Sequence, residues 1–171
     1  QIIGAPGTLH RTDEIHGYFK KLAQTSTNII TEQVATTEEG RPIQIAVIAN
    51  AATLKRLDHY KKQTALLADP RFGQHLADLW LPVYYLNGGM HSTETGSPEM
   101  LMELAYRLIT GQSDEIKAIR DNLIVVINPV SEPDGWDKMV DWYKRYTKKR
   151  TDFEDGMPAS PPYWGKYVFH D

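Results

Sequence analysis

His91 and Glu94 stand three residues apart in the stretch Leu86-Asn87-Gly88-Gly89-Met90-His91-Ser92-Thr93-Glu94-Thr95-Gly96. An imidazole and a carboxylate at that spacing, on a turn or a first helical turn, face the same way. Both are good zinc ligands, at roughly 2.0–2.2 Å from the ion. Catalytic zinc usually takes three protein ligands and keeps a fourth position for water, so a third ligand must come from elsewhere. A His-x-x-Glu pattern taken alone is weak. Its setting strengthens it: an apolar run precedes it, two glycines let the backbone approach closely, and a helix follows. Ligands in open α/β sheets lie outside the carboxyl ends of strands.

The elements that must position this pair follow from local pattern. Residues 1–11 form an irregular Gly/Pro-bearing arm. From Thr12 the residues Ile15, Tyr18, Phe19 and Leu22 recur at helical spacing, with Thr12 as a cap. Asn28–Thr36 and Pro42–Ala49 read as strands joined by the Glu38-Glu39-Gly40-Arg41 turn, an antiparallel hairpin. Asn50 caps one long helix that Asp69-Pro70 stops. A short helix or loop covers 71–78. Leu79–Leu86 is a buried strand. Pro98 opens a helix through Leu108 that Gly111 ends. Ser113 caps another, and Asn122–Asn128 is a continuous β-branched strand of the kind covered on both faces. Asp134–Tyr146 reads as a helix, and residues 156–165 as a long Pro/Gly-rich loop. Strands alternating with helices predict a layered α/β/α fold, with a mixed, mostly parallel sheet and an antiparallel hairpin first.

Other polar residues are assigned more ordinary roles. His10, His16, His59 and His75 have no acidic partner at ligand spacing and are expected at the surface. Glu99, Glu103 and Arg107 read as an exposed salt-bridge row. Trp136, Trp142, Tyr143, Tyr163 and Trp164 read as packing aromatics, with a substrate groove as the alternative.

Composition sets the outer limits. The chain has 171 residues, 41% hydrophobic and 24% charged, as in globular domains. It has no cysteine, which excludes disulfides, thiolate zinc ligands and thiol nucleophiles. A net charge of −3 argues against nucleic acid as the main partner. No apolar run approaches the ~20 residues of a membrane span. The start, Gln1-Ile2-Ile3-Gly4, carries no signal-peptide pattern, and a mature chain after signal removal would look the same.

Gly88-Gly89-Met90-His91-Ser92-Thr93-Glu94 followed by a helix resembles the zinc-binding segment of metallocarboxypeptidases of the carboxypeptidase A type. Three further segments agree in order and spacing. Glu38-Glu39-Gly40-Arg41-Pro42 is similar to the family's turn between its first two strands. Ile127-Asn128-Pro129-Val130-Ser131-Glu132-Pro133-Asp134-Gly135-Trp136 is similar to its strand ending in Asn-Pro-Asp-Gly plus an aromatic, with Glu132 where Asn is more usual. Lys166-Tyr167-Val168-Phe169-His170-Asp171 resembles the lead-in to its Asn-Arg substrate-carboxylate motif.

The resemblance covers residues 12–171 and about the first half of the family's catalytic domain. It implies Zn2+ held by His91 and Glu94. It implies an arginine that stabilises the oxyanion, here placed at Arg145, with a solvated basic face (Lys144 to Arg150) as the alternative. The Asn-Arg pair, the third ligand, the covering tyrosine and the general base are expected after Asp171, and His170 is a poor substitute ligand. The implied activity is hydrolysis of a C-terminal peptide or related amide bond, in a secreted or periplasmic setting. A non-catalytic, carboxypeptidase-like binding module is the alternative. An incomplete sheet would leave an open strand edge, so self-association of the fragment is a further expectation.

Overall fold

The computed structural model describes residues 3–71 and 80–148. His75, the basic pair Lys149-Arg150, the Pro/Gly-rich loop with Tyr163 and Trp164, and the terminal segment with His170 lie outside the described residues. In chain order the elements are α1 (Thr12–Thr25), β1 (Ile29–Thr36), β2 (Pro42–Ile48), α2 (Ala51–Lys55), α3 (Leu57–Leu67) and β3 (Val83–Asn87). Then come α4 (Gly96–Thr110), α5 (Asp114–Asn122), β4 (Ile124–Asn128) and α6 (Pro133–Thr147).

The sheet has the order β1-β2-β4-β3. The expected hairpin is present, with Ile29 opposite Ile48 and Thr36 opposite Pro42. β2 also pairs antiparallel with β4, and β3 pairs parallel with β4, so the sheet is mixed as expected, but two of the three described pairings are antiparallel rather than most being parallel. Alternation along β2 and β4 feeds two layers, because successive side chains point to opposite faces. Ala46, Ile48, Val125 and Ile127 join Ile15 and Phe19 of α1, Leu101 and Ala105 of α4, and Trp136 and Val140 of α6. Val47 and Ile124 join Leu54, Leu57 and Tyr60 of α2 and α3 on the other side. Each fully buried large side chain of the first layer contributes about 1.5–3 kcal/mol. The second layer is less filled: a largely apolar cleft of about 500 Å³ lies between α3 and the sheet, lined by Val47, Tyr60, Val83 and Val126 among others.

Five further expectations need correction. The strand expected to be buried over Leu79–Leu86 is β3, Val83–Asn87, at the end of the described sheet order, with Tyr84 and Tyr85 59% and 55% exposed. The helix after Asn50 is two helices. Arg56, at φ −110° and ψ 18°, bonds its N–H back to Thr53 O, a tighter turn than the α-helix allows. Asn50 still caps the first of them, its Oδ1 accepting from Thr53 N at 2.8 Å. The fourth helix opens at Gly96 rather than Pro98, which lies within its first turn, where a missing N–H leaves nothing unsatisfied.

His10 and His16 are interior residues, 4% and 3% exposed. Glu99 is also interior, at 7%, and bonds His10; the Glu103–Arg107 pair at 2.7 Å is the exposed part of that row. A four-residue step on a helix advances about 40° around the axis, so Glu99 and Arg107 lie about 80° apart and part company at the core boundary.

Trp136, fully buried, donates its indole N–H to His10 O at 2.9 Å. This bond and the His10–Glu99 contact anchor the arm between α4 and α6. A second tie runs from the hairpin. Arg41 reaches Asp134 at 2.7 Å and Asp137 at 3.0 Å, both nearly buried, and Glu39 at 2.7 Å. The Glu39 hydrogen bond, then the Asp134 hydrogen bond and the charges of Asp137 and Asp134, raise the Arg41 pKa against the effect of burial and keep the guanidinium charged.

Candidate metal centre

β3 and β4 run parallel and end in register, Asn87 beside Asn128. Gly88 continues the ladder by one bond, its N–H donating to Asn128 O at 2.8 Å. A side chain there would not fit: a Cβ on Gly88 would lie 2.8 Å from Pro129 O and 2.6 Å from Leu101 Cδ1. Gly89 has φ +58°, the left-handed region that favours glycine. These two residues turn the chain away from the sheet at its carboxyl edge. The lead-in to α6 is bonded to the same turn, Ser131 N to Gly88 O at 2.9 Å and Glu132 N to Gly89 O at 3.2 Å.

His91 to Thr95 form a short turn before α4, closed by Glu94 N to His91 O at 3.0 Å. Ser92 points inward and is fully buried. His91 and Glu94 point outward, with side chains 33% and 63% exposed, and His91 Nδ1 lies 3.1 Å from Glu94 Oε1. Two donors each about 2.1 Å from one tetrahedral ion lie about 3.4 Å apart. The observed separation fits a shared metal with little adjustment. The donor types suit zinc, and Glu94, just before a helix N-terminus, has its negative charge in favourable register with the helix dipole. Among the described residues no group of three His, Asp, Glu or Cys is arranged to hold a metal.

Glu132 is the residue that sequence reasoning undervalued. It caps α6, its Oε2 accepting from Gly135 N at 2.8 Å and from Ser92 Oγ at 3.2 Å. Burial pushes its pKa up, against the lowering effect of those two bonds. The signal in the sequence was an acidic residue directly before a proline at a helix start, which marks a cap. The Ser92 contact spans forty residues of sequence and leaves no local trace. Asn87 is a second polar anchor at the strand end, its Oδ1 accepting from Ser131 Oγ at 2.5 Å and Tyr85 OH at 3.1 Å.

The structure does not bring Arg145 to this site. It is exposed, in the last turn of α6. Measured from Pro133, beside the Ser92–Glu132 contact, it lies roughly 18 Å along the helix axis at 1.5 Å per residue.

The family description zinc carboxypeptidase matches residues 15–157, most of the chain. This chain belongs to the zinc carboxypeptidase family. Solved structures share its fold. Carboxypeptidase A from Helicoverpa armigera aligns with a TM-score of 0.55 and 20% identity, over 76% of this chain and 26% of that one. Thrombin-activatable fibrinolysis inhibitor aligns at 0.57 and 12%, over 81% and 31%. A metallocarboxypeptidase from Burkholderia cenocepacia aligns at 0.51 and 17%, over 74% and 28%. The chain therefore spans about a quarter to a third of the length of these structures. No curated protein sequence matches it significantly. No helix among the described residues is long and apolar enough to cross a membrane.

Proposed function

We propose that this carboxypeptidase-family chain carries part of the active site of a zinc-dependent peptidase acting on a C-terminal peptide bond or a related amide. The observation that carries this is the convergence of His91 Nδ1 and Glu94 Oε1 at 3.1 Å on an open turn at the carboxyl edge of the sheet. His91 and Glu94 would hold the zinc. When bound, zinc supplies a Lewis acid and a water of much lowered pKa. The buried glycine turn fixes where the two ligands leave the sheet. Ser92 and Glu132 sit beneath them and keep the turn against α6. Arg145, in the last turn of α6, is not assigned a part in the metal turn itself.

Two ligands alone bind zinc weakly, since a structural or catalytic site takes at least three. The remaining ligand and the general base are proposed to come from polypeptide beyond these residues. The test is a zinc competition titration against a chromophoric chelator, with hydrolysis of a blocked dipeptide followed in parallel. The chain is expected to bind zinc weakly, to lose that binding on His91→Ala or Glu94→Ala, and to show no turnover. Efficient turnover by residues 1–171 would contradict the proposal. A longer protein that binds no zinc at His91 would instead favour the non-catalytic module.

A further inference from the structure

Glu132 belongs to α6, yet its carboxylate is built into the ligand turn. One oxygen, Oε2, accepts from the hydroxyl of fully buried Ser92 and from the Gly135 N–H at the helix start. Its own backbone N–H donates to Gly89 O, at the other end of the turn. Ser92 lies between His91 and Glu94, so any slip of Ser92 moves both. The segment has no helical or strand ladder of its own; its closing bond is Glu94 N to His91 O. The first turn of a helix stabilises a carboxylate held there, so α6 fixes Glu132 and Glu132 fixes Ser92.

We propose that Glu132 is a positioning residue for the metal-ligand turn, tying Ser92 to the N-terminus of α6 so that His91 and Glu94 stay convergent. The inference rests on the assignment of His91 and Glu94 as ligands. Groups that orient metal ligands from behind typically change metal affinity by about 10–100-fold when removed.

The effect can be separated from simple helix capping. Glu132→Ala removes both the cap and the Ser92 bond, Ser92→Ala removes only the latter, and Glu132→Gln keeps an oxygen able to accept both. Two readouts apply to the 171-residue chain: its zinc affinity, and the amide hydrogen exchange of Glu94 without metal. Glu132→Ala and Ser92→Ala are each expected to weaken zinc by about tenfold or more and to speed Glu94 exchange. Glu132→Gln is expected to stay within about threefold of the parent. The Ser92→Ala/Glu132→Ala pair is expected to be no weaker than Glu132→Ala, since both changes cut one bond. Unchanged affinity and exchange in Ser92→Ala would overturn the proposal, because only capping would remain. Equal losses in Glu132→Gln and Glu132→Ala would overturn it too, by assigning the effect to charge. Zinc binding that survives His91→Ala would remove the ligand assignment and this inference with it, and that control tells the two failures apart.

Discussion

His10 with Glu99 and His91 with Glu94 are the same two chemical groups at similar separation, in opposite surroundings. In the first pair both carboxylate oxygens lie 2.8 Å from His10 Nδ1, and one also accepts the His10 backbone N–H at 3.0 Å. Both side chains are nearly buried, at 5% and 9%, and the His10 carbonyl is taken by Trp136. Both carboxylate oxygens, His10 Nδ1 and the His10 backbone N–H are engaged with one another inside the core. In the second pair the imidazole and carboxylate converge at 3.1 Å with solvent access on both. An interior pair of this kind holds structure. An open pair at the edge of a sheet has geometry to offer a metal and contributes little to folding.

The sharpest way to break that contrast is Glu99→Ala. It leaves the His10 N–H and ring nitrogen buried without an acceptor, and about 3 kcal/mol of stability is expected to go. Urea unfolding that shows a loss below about 1 kcal/mol would make the interior pair no more structural than the exposed one.

His16 extends the comparison to an interior histidine whose two ring nitrogens have no hydrogen-bond partner among the described residues. Burial, aided by Lys20, lowers its pKa from 6.5 to about 4, against Asp137 and Asp13. The unfolded chain therefore binds more protons between these values, and stability falls as pH drops through that window. The loss is expected to reach about 3 kcal/mol by pH 4. Thermal melts of His16→Leu should lack that part of the pH dependence, and an identical slope in parent and variant would contradict the assignment.

Arg41 neutralises two buried carboxylates, Asp134 and Asp137, that also have other donors in Thr37 and Thr12. Arg41→Ala is expected to lower stability by about 2 kcal/mol, less than Glu99→Ala because those donors remain. A larger loss would show that the hairpin tie, not the arm, governs this face. Least of all, Glu94→Ala should change stability by under about 0.5 kcal/mol, as for other exposed pairs. Calorimetry showing a loss of 2 kcal/mol would recast Glu94 as structural.

The difference between the regions also explains what the sequence made legible. β1, β2, β4 and the cap residues Asn50 and Ser113 follow from alternation and turn chemistry within a few residues. The Gly-Gly-Met-His-Ser-Thr-Glu segment is local as well, and its ligand pair is found where the strand ends. His10 and Glu99 stand 89 residues apart, and Arg41 and Asp134 stand 93 apart. No local periodicity encodes such partners. The arm looks polar and irregular because its histidine is satisfied by a helix far along the chain. Glu99 looked exposed because the charged row turns gradually around α4. Arg145 was placed by resemblance, and its position in the last turn of α6 follows only from where that helix starts and ends.

The central claim is that His91 and Glu94, and not the interior histidines, meet the metal. The most direct measurement is a nitrogen-15 spectrum of the six histidine rings during zinc addition to the 171-residue chain. The account predicts a shift at His91 and none at His10 or His16. Movement of His10 or His16 signals with His91 unchanged would contradict it.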